Sequence, residues 1–263
     1  MHPQRRPLIA GNWKMSKGGP AGLELAHACV EVARALHHVE VVIAPPYTVL
    51  AAAAAECEGS PVAIAGQNVH ARGEGAFTGE VSASMLIESG CTWVIIGHSE
   101  RRQYFGEDDA MVADKVRAAL AGGLTPIVCV GETLPEREQG ITLEVVRRQF
   151  DAFAPLLAHH AASERGRAAI AYEPVWAIGT GKTAGPAEAE EVHKALRTWL
   201  HEHGAPLAHA TRLIYGGSVK PDSASALLAC TNIDGALVGG ASLDAGSFGA
   251  IARAAQALAH ASH

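Results

Sequence analysis

Short apolar runs alternate with amphipathic stretches along the chain, no linker or composition break interrupts them, and several runs end in a glycine pair or a polar side chain. These features predict an α/β protein folded as a single (β/α)8 barrel, one domain over residues 1–263. Unbroken strand–helix alternation builds a parallel sheet, and a chain of this length suffices to close it.

Leu8 to Trp13 is the first strand, and the helix after it carries Leu25, Cys29, Val32 and Leu36 on one face at helical spacing. Val39 to Ala44 is the second, closed by Pro45-Pro46, with the alanine-rich Tyr47 to Cys57 as its helix. Val62 to Gln67 is the third. Its connection, Asn68 to Glu80, is long and holds Gly73, Gly75 and Gly79, so it should project before a short helix over Val81 to Ser89. Thr92 to Gly97 is the fourth strand, leading through His98-Ser99-Glu100-Arg101-Arg102 to a helix with Val112, Val116 and Leu120 on one face.

Thr125 to Val130 is the fifth strand, followed by a helix bearing Val146, Phe150, Phe153 and Leu157. Ala168 to Tyr172 is the sixth. Its helix opens at Pro186, a residue favoured at the first helical position, and turns Val192, Leu196 and Trp199 inward. Leu213 to Tyr215 and Ala236 to Val238 are the last two strands, and Ser247 to Leu258 is the final helix. The pattern implies eight strands and eight helices in strict alternation.

Composition narrows the function classes. Hydrophobic residues are 48% and charged residues 18%, which fits a globular chain with a large core. A net charge of −6 argues against nucleic acid or an anionic membrane as partner. No apolar run is long enough to span a bilayer and the N-terminal stretch lacks a secretory apolar region, so the expected protein is soluble and cytoplasmic. The cysteines Cys29, Cys57, Cys91, Cys129 and Cys230 are odd in number with no C-x-x-C pair, and read as small buried hydrophobes. Fourteen histidines include no H-E-x-x-H; His37-His38, His159-His160, His201 and His203 read as polar residues at helix ends.

In a (β/α)8 barrel the chemistry sits at the carboxyl ends of the strands. That rule gathers Asn12 and Lys14 after strand one, His98 after strand four, Glu173 after strand six, Gly216-Gly217-Ser218 after strand seven and Gly239-Gly240 after strand eight. Glu173 precedes Pro174, which cannot donate to the ladder and holds the carboxylate at the strand end. Val175 and Trp176 then anchor an Ala-Ile-Gly-Thr-Gly segment whose Gly179 and Gly181 suit a hinged lid.

The segments GNWKM (Gly11 to Met15), GQNV (Gly66 to Val69), GAFTGE (Gly75 to Glu80), IGHSERR (Ile96 to Arg102), AYEPVWAIGTGKTA (Ala171 to Ala184), YGGSVKP (Tyr215 to Pro221) and DGALVGGASL (Asp234 to Leu243) closely resemble the triosephosphate isomerase family, in order and over nearly the whole chain. Ser16 and Ala71 to Glu74 depart from the family pattern. The resemblance implies a TIM barrel that interconverts dihydroxyacetone phosphate and glyceraldehyde 3-phosphate through an enediolate. It implies Glu173 as the base, His98 as a neutral electrophile, and Lys14 with Asn12 as electrostatic and hydrogen-bonding support.

The resemblance further assigns Ser218, Gly239, Gly240 and Gly179 of the lid to the phosphate, Ser99 and Glu100 to supporting positions, and Cys129 to a place beside the base. Desolvation is expected to make Glu173 more basic, and the helix start at Ser99-Glu100 to lower the pKa of His98. No metal or organic cofactor is required. The Asn68 to Glu80 loop, with Phe77 and Thr78, is expected to enter a second subunit of a homodimer and place Thr78 against the partner's active site. A different barrel enzyme acting on a small sugar phosphate would lack the GNWKM and EPVW segments. A catalytically silent scaffold would be expected to have lost Lys14, His98 or Glu173.

Overall fold

The computed structural model describes residues 5–161, 168–177 and 184–260. Eight parallel strands close a barrel in sequence order: β1 (Leu8–Asn12), β2 (Glu40–Ala44), β3 (Val62–Gly66), β4 (Trp93–Ile96), β5 (Thr125–Val130), β6 (Ala168–Tyr172), β7 (Thr211–Tyr215) and β8 (Gly235–Val238), with β8 pairing back to β1. Both faces of every strand are covered, so the strands read as continuous apolar runs without alternation. One face fills the barrel with Ala10, Ala44, Ala65, Ala169 and Ala171 opposite bulkier Trp93, Ile95, Ile127 and Ile214. The other face, including Ile9, Val41, Ile43, Val94, Val128, Ile170 and Leu213, packs beneath the helices.

The helices are α1 (Pro20–Arg34), α2 (Leu50–Glu56), α3 (Ala83–Glu88), α4 (Ser99–Phe105), α5 (Asp109–Gly122), α6 (Leu134–Glu138), α7 (Thr142–Ala161), α8 (Pro186–Glu202), α9 (Ala205–Ala210), α10 (Pro221–Leu228) and α11 (Ala245–His260). Alternation is less strict than the sequence pattern implies, because several βα units carry two helices. The His98 segment is itself a helix, α4, ended by Gly106 at φ 66° before Asp108 caps α5 by accepting the Met111 N–H at 2.8 Å. The short α6 and α9 have no extended apolar stripe to announce them. The helix the alternation requires between β7 and β8 is α10, which opens at Pro221 and buries Ala224, Leu227 and Leu228.

Strand bounds shift where polar residues are buried. β7 begins at Thr211 because Thr211 and Arg212 lie inside; Arg212 pairs with Glu40 and lies 5.0 Å above the Trp93 ring, so the strand's first residues do not read as apolar. The helix expected over Tyr47 to Cys57 starts with a 3-10 turn, Tyr47–Val49. The helix expected from Val81 starts at Ala83, where Ser82 caps it. At the amino ends of the strands Asp234 accepts from Arg5 at 2.7 Å, from Arg197 at 2.5 Å and from the Leu213 N–H at 2.9 Å, tying β7, β8 and α8 together. Four cysteines are buried, but Cys230 is half-buried on the helix layer, which corrects the expectation that all five are interior.

Candidate active site

Glu173 follows β6 directly. Its N–H continues the ladder to Val130 O at 2.7 Å, and Pro174 ends it. The residue is only 1% exposed: Oε2 accepts the Ser99 N–H at 2.8 Å, and Oε1 lies 2.9 Å from His98 Nε2, off the line of a good hydrogen bond. Two glycines make room for it. A Cβ on Gly131 would stand 1.7 Å from Glu173 O, and one on Gly216 would stand 2.8 Å from Glu173 Cγ. Cys129, fully buried at the end of β5, has its thiol pushed well up by burial first and by the adjacent Glu173 charge second.

His98 caps α4, and its Nδ1 accepts the Glu100 N–H at 3.2 Å, which leaves Nε2 to carry the proton toward Glu173. The expectation of a depressed His98 and a more basic Glu173 is overturned for this arrangement. Burial lowers the His98 pKa, but the charge and contact of Glu173 raise it more, and the net shift is upward. Burial raises Glu173, but His98, the Ser99 N–H and Lys14 together hold it below its ordinary value. Burial is the largest single effect on each group, but the counter-charge of the partner added to its contact, and for Glu173 to the Ser99 N–H and Lys14, outweighs it.

Lys14 lies just past β1 with φ 51°, a left-handed conformation unusual for lysine. Two side chains hold that turn: Asn12 Oδ1 accepts the Lys14 N–H at 3.1 Å, and Gln67 Nε2 donates to Lys14 O and to Ala44 O, each at 2.8 Å. The Lys14 ammonium donates to Glu100 Oε1 at 2.6 Å. Asn12, Lys14, His98, Ser99, Glu100, Val175, Gly216 to Lys220, and Gly239 to Ala241 line one cavity of about 530 Å³ at the carboxyl ends of the strands. Glu173 stands behind this wall, against His98 and Gly216.

Ser218, Gly239 and Gly240 share the far wall, where a 3-10 turn, Gly240–Leu243, begins. A Cβ at Gly240 would meet nothing within 4 Å, so packing does not demand glycine there and the space belongs to the cavity. Gly179 and Gly181 of the expected lid lie outside the described residues. Phe77 and Thr78 are on the projecting loop away from the cavity; Phe77 is 43% exposed and stacks on His70 at 4.2 Å.

Sequence reasoning overlooked Gln67 and Glu132. Glu132, two residues past β5, is fully buried; it accepts from Trp176 Nε1 at 2.8 Å and from Tyr172 OH at 3.1 Å, and burial outweighs these bonds to raise its pKa. It fixes the backbone just after Glu173, since Val175 N–H also bonds to Glu132 O at 3.1 Å. The rule that picked out Glu173, an acid just past a strand end, would have found it. Among the described residues no cluster of His, Cys, Asp and Glu is arranged to hold a metal, and no helix is long and apolar enough to cross a membrane.

A closed barrel with a buried carboxylate, an imidazole and a lysine around one carboxyl-end cavity defines a (β/α)8-barrel enzyme of the acid–base class. Residues 7–255 match the family model for triosephosphate isomerase. The chain is 51% identical to the triosephosphate isomerase of Chloroflexus aurantiacus over 93% of its length and 97% of that protein's. It is 52% identical to that of Alcanivorax borkumensis over 96% and 99%. The crystal structure of triosephosphate isomerase from Bartonella henselae superposes with a TM-score of 0.85 at 40% identity, covering 95% of this chain and 98% of that one. The chain belongs to the triosephosphate isomerase family.

Proposed function

We propose that the chain interconverts dihydroxyacetone phosphate and D-glyceraldehyde 3-phosphate, in glycolysis and gluconeogenesis. The observation that carries this reading is the burial of Glu173 at 2.9 Å from His98 beside a cavity that Lys14 also lines. Glu173 takes a proton from the carbon next to the carbonyl and returns it to the neighbouring carbon. To do so the carboxylate leaves the Ser99 N–H and turns toward the cavity.

His98 Nε2–H polarises the carbonyl oxygen and moves a proton between the two oxygens of the enediolate. Lys14 exchanges Glu100 for the enediolate and phosphate charge, while Asn12 keeps its backbone turn in place. Amides at Ser218, Gly239 and Gly240, with Gly179 from the lid, receive the phosphate. Cys129 packs behind the base. No step needs a metal or an organic cofactor.

The chain works as one domain and as a cytoplasmic homodimer, and binds no nucleic acid. Support for the dimer comes from large apolar side chains left exposed on four consecutive units: Met15 after β1, Tyr47 after β2, Phe77 after β3 and Tyr104 with Phe105 on α4. Burial in a second copy would remove this surface from water and place Thr78 near the partner's Asn12 and Lys14. The function is tested by a coupled assay of the purified protein with glyceraldehyde 3-phosphate; robust turnover is expected, and its absence overturns the reading.

A further inference from the structure

The cavity carries a second lysine, Lys220, at the cap of α10 between the Ser218 turn and Pro221. The charges around the site make it more than a surface residue. Lys14 is spent on Glu100 at 2.6 Å, and these two cancel. His98 and Glu173 together carry one negative charge, or none when the pair holds one further proton. Among the described residues the cation against the Gly239 wall is Lys14, whose Nζ would stand 3.9 Å from a Cβ at Gly239 and which Glu100 already holds, and the whole chain is at −6.

Counted over the described side chains other than Lys220, the opening that meets an approaching phosphate dianion is therefore neutral or negative, on a negative protein. Lys220 is exposed and lines the cavity, and among the described residues no carboxylate lies within ion-pair distance of it. We propose that Lys220 is a steering residue: its unpaired ammonium supplies the net positive charge that draws the phosphate end of the substrate to the amide wall. It acts before the chemical step, on association, and touches none of the reacting atoms. This inference rests on the proposed isomerase activity.

The effect should be of long range and screened by salt, since a single charge several ångströms from a dianion acts through water. Lys220→Met is expected to lower kcat/KM about three- to fivefold at about 0.01 M ionic strength, leave kcat unchanged, and converge on wild type at about 0.3 M. Lys194→Met is the control: it makes the same change in net charge on an exposed turn of α8 away from the cavity, and should respond to salt as wild type does. Both lysines are exposed, so neither substitution threatens folding, and far-ultraviolet circular dichroism checks this. Equal kcat/KM and equal salt slopes for the two variants overturn the proposal, as does a fall in kcat for Lys220→Met that persists at high salt. An inactive wild type would instead reject the isomerase reading itself.

Discussion

Nε2 of His98 lies 2.9 Å from Oε1 of Glu173, and the second oxygen of the same carboxylate accepts the Ser99 N–H at 2.8 Å. The base and the electrophile are therefore each other's nearest counter-charge, while the Ser99 N–H supplies the carboxylate's hydrogen bond. The pKa of His98 is raised above 6.5, so its contribution to stability is present at low pH and lost as pH rises through the folded value. The pKa of Glu173 is lowered below 4.5, so its contribution is present above that and lost as pH falls through the folded value. The pair stabilises the fold most strongly between these two limits.

Replacing Glu173 with Gln should reduce turnover by about two orders of magnitude or more while the barrel stays folded. The same change removes the charge that raises His98, so burial should then prevail and carry its pKa below 6.5. Following the imidazole resonances of both proteins by NMR across pH decides the point. Identical His98 titrations would mean that Glu173 is not the cause of the shift.

Gly216 and Gly240 lie on the same cavity and should fail differently. A Cβ at Gly216 meets Glu173 Cγ at 2.8 Å, so Gly216→Ala should displace the carboxylate and lower kcat by about tenfold or more, with binding of phosphoglycolate less affected. A Cβ at Gly240 meets nothing, so Gly240→Val should fold normally, place its methyls in the cavity and weaken phosphoglycolate. Calorimetry and steady-state kinetics on the two variants give a crossed pattern; a parallel loss in both would refute the division of the cavity into base and phosphate ends.

His193 is completely buried in α8, with Nδ1 2.7 Å from Ala189 O and its ring packed against Tyr172 and Tyr215. Burial lowers its pKa below 6.5, so the stability it contributes is present above that pH and is lost as pH falls. Urea unfolding at fixed protein concentration should show wild type losing stability between about pH 7.5 and about pH 5 more steeply than His193→Leu, although the variant starts lower from lost packing. An equal drop in both proteins would assign the acid sensitivity to other groups.

The projecting loop holds itself with only a few bonds, among them His70 N–H to Val81 O at 2.8 Å and the His70–Phe77 stack. Sedimentation equilibrium should find twice the 27.3 kDa of one chain. Deleting residues 71–77 should give a monomer with markedly reduced turnover, because Lys14 holds an unfavourable backbone angle that a partner would help maintain. A shortened monomer with full activity would show that Asn12 and Gln67 suffice to hold that turn.

The barrel was readable because every strand is buried on both faces and therefore writes itself as a short apolar run, while each long helix repeats its apolar residues at helical spacing. Glu173, His98, Lys14 and the glycine turns were readable because position at a strand's carboxyl end is a matter of sequence order once the barrel is recognised. Short elements such as α6, α9 and α10 escaped definition, and so did the start of β7, where Arg212 is buried by pairing with Glu40 rather than by being apolar. Three matters belonged to the tertiary structure alone. Gln67 holds Lys14 from a strand two units away, and Glu132 grips Trp176 across 44 positions. The direction of the His98 and Glu173 shifts was misread from sequence because desolvation and a helix start are local features, whereas the deciding charge arrives from a residue 75 positions away in the chain. Sequence order fixes which groups reach the same end of a barrel; the distances between them, and so which of several opposed electrostatic effects prevails, exist only after the barrel has closed.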